Sequence, residues 1–112
     1  MSQKWIKNID FASVLGLAEQ VQYMDGQIVS KTLAQNDAVS LTLFAFEKGE
    51  EISSHESEGD ALVMALDGTG EITVGGEKFT LGAGQSIVMP SKTPHAVYAK
   101  ERFKMFLIVV FP

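Results

Sequence analysis

The chain has 112 residues, a net charge of −5 and no cysteine. This length is typical of one domain, and the absence of thiols excludes disulfides. The acidic balance argues against a nucleic-acid-binding surface, which requires a basic patch. No apolar run approaches the ~20 residues of a membrane span, and residues 1–10 lack the apolar core of a secretory signal. We therefore expect one cytoplasmic domain over residues 1–112, with no nucleic-acid or membrane partner.

Residues 1–20 carry the weakest pattern and are predicted to form an N-terminal arm, helical or irregular, that leads into a β-barrel over residues 21–111. Asp10 is a suitable N-cap for a short helix over Phe11–Leu15, and Gly16 is a suitable end for that helix. The stretch is too short to support a long helix.

Short apolar segments alternate with Gly-rich turns through the rest of the chain, about 8 to 12 residues apart, which is typical of a β-sandwich or barrel. Tight turns are predicted at Asp25-Gly26, Asp67–Gly70 and Gly75-Gly76. The predicted strands cover Val21–Met24, Gln27–Ala34, Val39–Phe46, a short segment ending at His55, Ala61–Leu66, Glu71–Val74, Lys78–Leu81, Ser86–Met89, His95–Ala99 and Phe103–Phe111. In the hairpin around Gly75-Gly76 the predicted inward side chains are Ile72, Val74, Phe79 and Leu81.

Two of the predicted strands, Ala61–Leu66 and Phe103–Phe111, are apolar on both faces. The interior of a barrel can bury only one of the two faces of each strand. Large exposed apolar patches are rare on monomers, so the other face must also be covered. We expect a homodimer through the outer faces. Coverage by a second sheet layer or by the N-terminal arm within one chain is the alternative.

His55 and His95 are the only histidines, and each stands at the end of a predicted strand. A barrel brings distant strand ends together at one mouth, and imidazole is a good ligand for first-row divalent ions. Two histidines are fewer than the three or four protein ligands that usually hold zinc or iron. An ordinary hydrogen-bonded role for each histidine therefore stays open.

Two segments resemble the paired motifs of the cupin superfamily, of the small single-domain, conserved-barrel type. The first motif reads glycine, five residues, His-x-His, a glutamate and a glycine; the second reads glycine, proline, glycine, histidine and asparagine at fixed spacing. Six motif elements stand at the matching offsets in this sequence: Gly49, His55, Gly68, Gly84, Pro90 and His95. The resemblance implies an all-β, double-stranded β-helix or jelly-roll barrel.

The sequence departs from the family pattern at residues that bear on metal binding. Cupins commonly bind a metal through two histidines and a glutamate of the first motif and the histidine of the second. Here Ser57 replaces one histidine and Ala61 replaces the glutamate. Asp60 is one position off and is expected to face the other way, because strand side chains alternate, unless Gly59 permits a bulge. Lys92 and Ala99 replace the glycine and asparagine of the second motif.

The resemblance therefore implies an incomplete metal site of His55 and His95, which would hold a divalent transition metal (Zn, Ni, Mn, Fe or Cu) only weakly. Strand alternation places a narrow apolar pocket beside the pair. The predicted pocket residues are Ser57, Ala61, Val63, Ala65, Val97 and Ala99.

Three functions follow from these residues. The first is a binding protein for a small apolar or carbonyl-bearing molecule in the barrel mouth. The second is a metal-dependent enzyme of dioxygenase or isomerase type that uses His55 and His95. The third is a structural or regulatory homodimer. The missing glutamate and histidine favour the first.

Overall fold

The computed structural model describes residues 4–112, and the first three residues of the predicted arm lie outside the described part. Within the described residues, a 3-10 helix of one turn precedes eight β-strands. The helix covers Leu17–Gln20 and the strands are β1 Ile28–Gln35, β2 Val39–Phe46, β3 Glu51–His55, β4 Asp60–Val74, β5 Glu77–Gly82, β6 Ser86–Met89, β7 His95–Tyr98 and β8 Phe103–Val110. The fold is all-β, as the sequence predicts.

All strand pairs are antiparallel, in the order β1-β2-β8-β4-β7-β3, with β5 and β6 also paired to β4. The long strand β4 belongs to both halves of this curled sheet. Its first half, near Ala61, pairs with β6 and β8, whereas its second half, near Ile72, pairs with β5 and β7. The result is a jelly-roll barrel in which β4 joins the two walls.

The predicted turn at Asp67–Gly70 is wrong, because β4 continues through it. The register against β8 shifts between Ala65 and Asp67, so the strand bends at a bulge instead of reversing. Gly68 has a φ of +71°, and a Cβ there would lie 1.7 Å from the carbonyl oxygen of Arg102. Glycine is therefore required by the close approach of two strands, and it does not mark a hairpin.

The N-terminal predictions are also partly wrong. The helical turn begins after Gly16, which is its N-cap, and does not cover Phe11–Leu15. Five residues cannot offset the cost of helix nucleation without tertiary packing. Asp25-Gly26 forms a turn, but Val21–Met24 is not a strand, and β1 pairs with β2 instead.

The core lies between the two walls and is centred on large buried side chains such as Phe46, Phe103 and Ile72. The Gly75-Gly76 hairpin forms as predicted, with Ile72 opposite Phe79. Phe79 nevertheless remains 37% exposed, because β5 is an edge strand that extends beyond the packed interior.

A second apolar cluster lies on the outer face of β1 and β2 and is covered by the N-terminal arm. Its buried members are Val21, Leu33, Leu43 and Ala45. Lys104 helps to hold the arm, because its Nζ donates a hydrogen bond of 2.6 Å to the carbonyl of Ala18. Intramolecular coverage therefore accounts for part of the second apolar face.

Candidate functional site

The structure brings His55 and His95 together at the point where β3 ends and β7 begins. The two residues are paired across the strands, and their rings lie edge to face with centroids 4.3 Å apart. The Nε2 atoms are separated by 3.1 Å. His95 is 3% exposed, whereas His55 is exposed, so the pair connects the barrel interior with its mouth.

Backbone carbonyl groups orient both rings. Nδ1 of His55 lies 3.0 Å from the carbonyl oxygen of Ser53, and Nδ1 of His95 lies 3.1 Å from that of Thr93. A carbonyl only accepts hydrogen bonds, so each Nδ1 carries the proton. The 3.1 Å contact between the two Nε2 atoms requires one further hydrogen, so the three contacts together use one hydrogen more than two neutral rings carry.

Burial lowers the pKa of His95 below its ordinary value of 6.5 and is the largest of the effects on this group. The hydrogen bond to the carbonyl of Thr93 and the charge of Glu56 act in the opposite direction, while the neighbouring imidazole of His55 lowers the pKa further. The ring of His95 is therefore neutral at neutral pH, which leaves its Nε2 free to accept.

A cavity of about 310 Å³ opens beside the pair, between the two walls of the barrel. Its polar lining comes from His55, Glu56, Ser57 and His95. The remaining lining is apolar and consists of Phe44, Ile52, Ala61, Met89, Val97, Met105, Leu107 and Val109. An apolar cavity with a few convergent polar groups is the usual composition of a small-molecule site.

The predicted pocket residues divide into two groups. Ser57, Ala61 and Val97 line the cavity, whereas the others are buried in the core without lining it. The second group consists of Val63, Ala65 and Ala99. Alternation predicted the inward face of each strand. Residues two positions apart on a strand are separated by about 6.6 Å, so these three side chains lie farther from the mouth.

Sequence reasoning missed the contribution of β2 and β8. Phe44 is paired with Met105 in the sheet, and Leu107 and Val109 continue the same face of β8. The residues of β8 alternate between two faces, and both faces are apolar. The sequence alone therefore does not distinguish the inward face from the outward one. Glu56, which stands between the two histidine positions of the first motif, also lines the cavity.

Loop contacts hold the two predicted motifs against each other. Lys92, which replaces a motif glycine, has a φ of +59°, and its N–H donates to the carbonyl of Ser57 at 2.8 Å. The carboxylate of Asp60 accepts the N–H of Ser91 at 2.8 Å. The side chain of Asp60 therefore lies outside the cavity, as alternation predicted, and does not replace the missing glutamate.

The donor set provides two of the ligands that a first-row divalent ion needs. Two nitrogens at zinc-bonding distance lie roughly 2.9 Å apart at a right angle and about 3.4 Å apart at a tetrahedral angle. The observed 3.1 Å between the Nε2 atoms falls in this range. Within residues 4–112, however, no three His, Cys, Asp or Glu side chains are grouped to hold an ion. An ion here would have two protein nitrogens and open positions.

Comparison with known proteins identifies the family of this chain. The family model described as "Cupin domain" matches residues 42–111, a segment that includes both histidines and most of the barrel. The chain belongs to the cupin family. No curated protein matches it, and none of the helices in the described part of this cupin is long and apolar enough to cross a bilayer.

Solved structures of similar cupins agree with this assignment. A conserved protein of unknown function from Streptococcus pyogenes is 44% identical, with a TM-score of 0.97 over 100% of this chain and 98% of that one. A cupin superfamily protein from Desulfitobacterium hafniense is 34% identical, with a TM-score of 0.91 over 96% of this chain and 98% of that one. Salicylate 1,2-dioxygenase from Pseudoaminobacter salicylatoxidans, at 17% identity and a TM-score of 0.70 over 83% of this chain and 29% of that one, shares the fold alone.

Proposed function

We propose that this cupin binds a small, mainly apolar molecule in the cavity between its walls, with the two imidazoles as the polar anchor. The observation that supports the proposal is the lining, which is apolar on every side except at His55, Glu56, Ser57 and His95. A cavity of about 150 Å³ is enough for benzene, so the 310 Å³ found here leaves room for a substituted ring or a short branched chain.

A cavity-filling variant tests this proposal. Ala61→Leu places three additional carbons in the cavity, whereas Ala96→Leu adds the same atoms on the outer face of β7. Small aromatic and aliphatic compounds are titrated into each protein while backbone amide shifts are recorded. We expect binding to the native protein and to Ala96→Leu, and at least tenfold weaker binding to Ala61→Leu. Absence of any shift at cavity amides with the whole panel would contradict the proposal.

A metal-dependent enzyme, of dioxygenase or isomerase type, is the second candidate. The spacing of the two Nε2 acceptors supports it, because His55 and His95 provide two adjacent ligand positions. A divalent ion held there would supply Lewis-acid chemistry. The carbonyl bonds to both Nδ1 atoms orient the rings toward such an ion, as second-shell partners of metal-bound histidines do.

Elemental analysis distinguishes the metal-dependent candidate. The protein is purified without an affinity tag and compared with the double variant His55→Ala, His95→Ala. Near-stoichiometric metal that is lost in the double variant would support an enzyme. Metal-free protein whose melting temperature does not change with added zinc, nickel or manganese would argue against it.

We also propose that two copies pair through the outer face of β2, β4, β6 and β8. Leu41, Ile108, Leu62 and Val88 form one apolar row across neighbouring strands. Val88 is 53% exposed, although the arm covers the neighbouring part of this face. A second copy of the same row would bury these side chains symmetrically.

Sedimentation measurements on Val88→Lys test the homodimer, with Phe79→Lys as a control at an exposed apolar position of another strand. We expect the native protein and Phe79→Lys to sediment as dimers and Val88→Lys to sediment as a monomer. A native protein that is monomeric at high micromolar concentration would exclude a homodimer, including a structural or regulatory one.

A further inference from the structure

We propose that the ligand of this cavity is a flat aromatic ring, which lies in a slot over Ala61, between Met89 and Val109, with the thioether of Met105 at its inner end. The aromatic class rests on the proposed small-molecule function and narrows it, because the volume of the cavity admits a substituted ring and a short branched chain alike. The strand register and the two methionines distinguish these ligands.

The slot forms where a small side chain lies between two larger ones on neighbouring strands. Ala61 of β4 is paired with Met89 of β6 on one side and with Val109 of β8 on the other, and all three line the cavity. Neighbouring strands are about 4.8 Å apart, so the backbones that carry Met89 and Val109 are separated by about 9.6 Å. Strand side chains stand roughly perpendicular to the sheet. The gap therefore has two facing sides with only a methyl group between them, and it suits a flat molecule.

The replacement of the motif glutamate by Ala61 opens this slot. A glutamate at the same position would place its carboxylate and two methylene groups between Met89 and Val109. Ala61 is 1% exposed and has no polar atom in its side chain, so the slot is apolar as well as narrow. The substitution that removes a candidate metal ligand thus also creates space for a ring.

Two methionine thioethers give the lining its chemical preference. Met89 and Met105 are both buried, so each keeps its sulfur in the barrel interior. Met105 lies on the same face of β8 as Val109, about 13 Å farther along the strand. A ring in the slot with one substituent directed inward lies between the two methionine side chains. Sulfur makes favourable contacts with aromatic rings, often at the ring edge.

Burial of apolar surface alone predicts the opposite preference. A saturated ring with the same carbon skeleton has more hydrogen atoms and a larger apolar surface, so transfer from water favours it over the aromatic ring. The saturated ring is also thicker, because its carbons are puckered, and it offers no aromatic edge to a sulfur. Tighter binding of the aromatic ring therefore reports the slot and the thioethers, and not hydrophobicity.

Benzyl alcohol and cyclohexylmethanol test the ligand class, because they share one carbon skeleton and one hydroxyl group. Each is titrated into protein that carries isotope-labelled methionine methyl groups, and the shifts give the dissociation constants. We expect benzyl alcohol to bind at least fivefold more tightly than cyclohexylmethanol. Its ring current should shift the methyl resonances of Met89 and Met105. The resonance of Met64, which alternates with the inward residues of β4, should not change.

The double variant Met89→Leu, Met105→Leu removes both sulfurs and keeps similar side-chain volumes, and Met64→Leu is the matched control. The double variant should bind the two alcohols with affinities within twofold of each other, whereas Met64→Leu should keep the native preference. Cyclohexylmethanol binding at least as tightly as benzyl alcohol to the native protein, or a fivefold preference that persists in the double variant, would overturn the inference but leave the small-molecule function intact. Failure of both alcohols to shift any cavity resonance would overturn both.

Discussion

Ile52 and His55 stand three positions apart on β3, yet both side chains line the same cavity. In a regular strand an odd separation places two residues on opposite faces. The register against β7 explains the difference, because Ile52 is paired with Val97 and His55 with His95, so β3 has one more residue than its partner. This β-bulge turns His55 toward His95, which is a common use of bulges beside functional sites.

The bulge gives the first prediction. Deletion of Ser53 and Ser54 together should place the histidine directly after Ile52, and therefore on the opposite face of β3. The two imidazole rings would then be separated. Nuclear Overhauser contacts between the two rings provide the measurement. Deletion of Ser54 alone removes the extra residue but keeps an even separation from Ile52, so this matched control should preserve those contacts.

The second prediction concerns the missing ligands. Ser57→His combined with Ala61→Glu restores the family motif at two residues that already line the cavity. Burying the new carboxylate should lower the melting temperature in a chelator, and added nickel or zinc should raise it well above that value. The variant Ser57→His, Ala61→Gln has the same size but lacks the carboxylate. If both variants gained equally from metal, the glutamate position would not be a ligand position.

The third prediction is a pH dependence of stability. The pKa of His95 is lower in the folded protein than its ordinary value of 6.5, mainly because the ring is buried. The unfolded chain therefore takes up a proton first as the pH falls, so the free energy of unfolding should decrease as the pH drops through 6.5 and below. Above that range it should be constant with respect to this group.

The variant His95→Gln tests the assignment of that pH dependence. Urea unfolding between pH 5 and pH 8 should show a smaller slope below pH 6.5 for the variant than for the native protein. An identical slope in both proteins would assign the effect to other groups.

The fourth prediction separates two roles of glycine. Gly68 and Gly76 both have positive φ, but a Cβ at Gly68 would overlap the carbonyl of Arg102, whereas the space around Gly76 is open. Gly76→Ala should cost about 1 kcal/mol of unfolding free energy, from backbone strain alone. Gly68→Ala should cost more than about 3 kcal/mol, because two strands must separate. Chemical unfolding measures both values, and equal costs would contradict the close approach.

The fifth prediction concerns the arm. Lys104 is 8% exposed; its Nζ donates to Ala18 and lies 4.9 Å from the centre of the Tyr23 ring. Lys104→Met keeps the side-chain stem but removes the charge and the hydrogen bond. A hydrogen bond to a charged group contributes about 1.5–3 kcal/mol. Amide exchange over residues 17–24 should accelerate. Lys100→Met, at an exposed position, should leave that exchange unchanged.

Much of the barrel could be predicted because local rules and tertiary packing agree there. Alternating apolar residues located β2, β6 and the hairpin of β4 and β5. The prediction was wrong at Asp67–Gly70, where residues typical of a turn lie at a bulge within one long strand. Residues with positive φ occur both in tight turns and in bulges. Whether such a segment forms a turn or a bulge depends on which strands pair there, and the local sequence does not specify that pairing.

The candidate site could be predicted in its residues but not in its geometry. The proximity of His55 and His95 followed from the motif spacing, and the structure brings them together. The bulge between Ile52 and His55 and the carbonyl bonds to both rings depend on pairing with β7. Those features, and not the residue types, determine that the two Nε2 atoms face each other.

Long-range proton–nitrogen NMR of the two histidine side chains tests the central claim most directly. In metal-free, ligand-free protein at pH 8, the spectrum distinguishes a ring protonated at Nδ1 from one protonated at Nε2. We predict the Nδ1–H tautomer for both rings. A ring that lacks the Nδ1 proton, on either His55 or His95, would contradict the orientation of both rings by the carbonyls of Ser53 and Thr93.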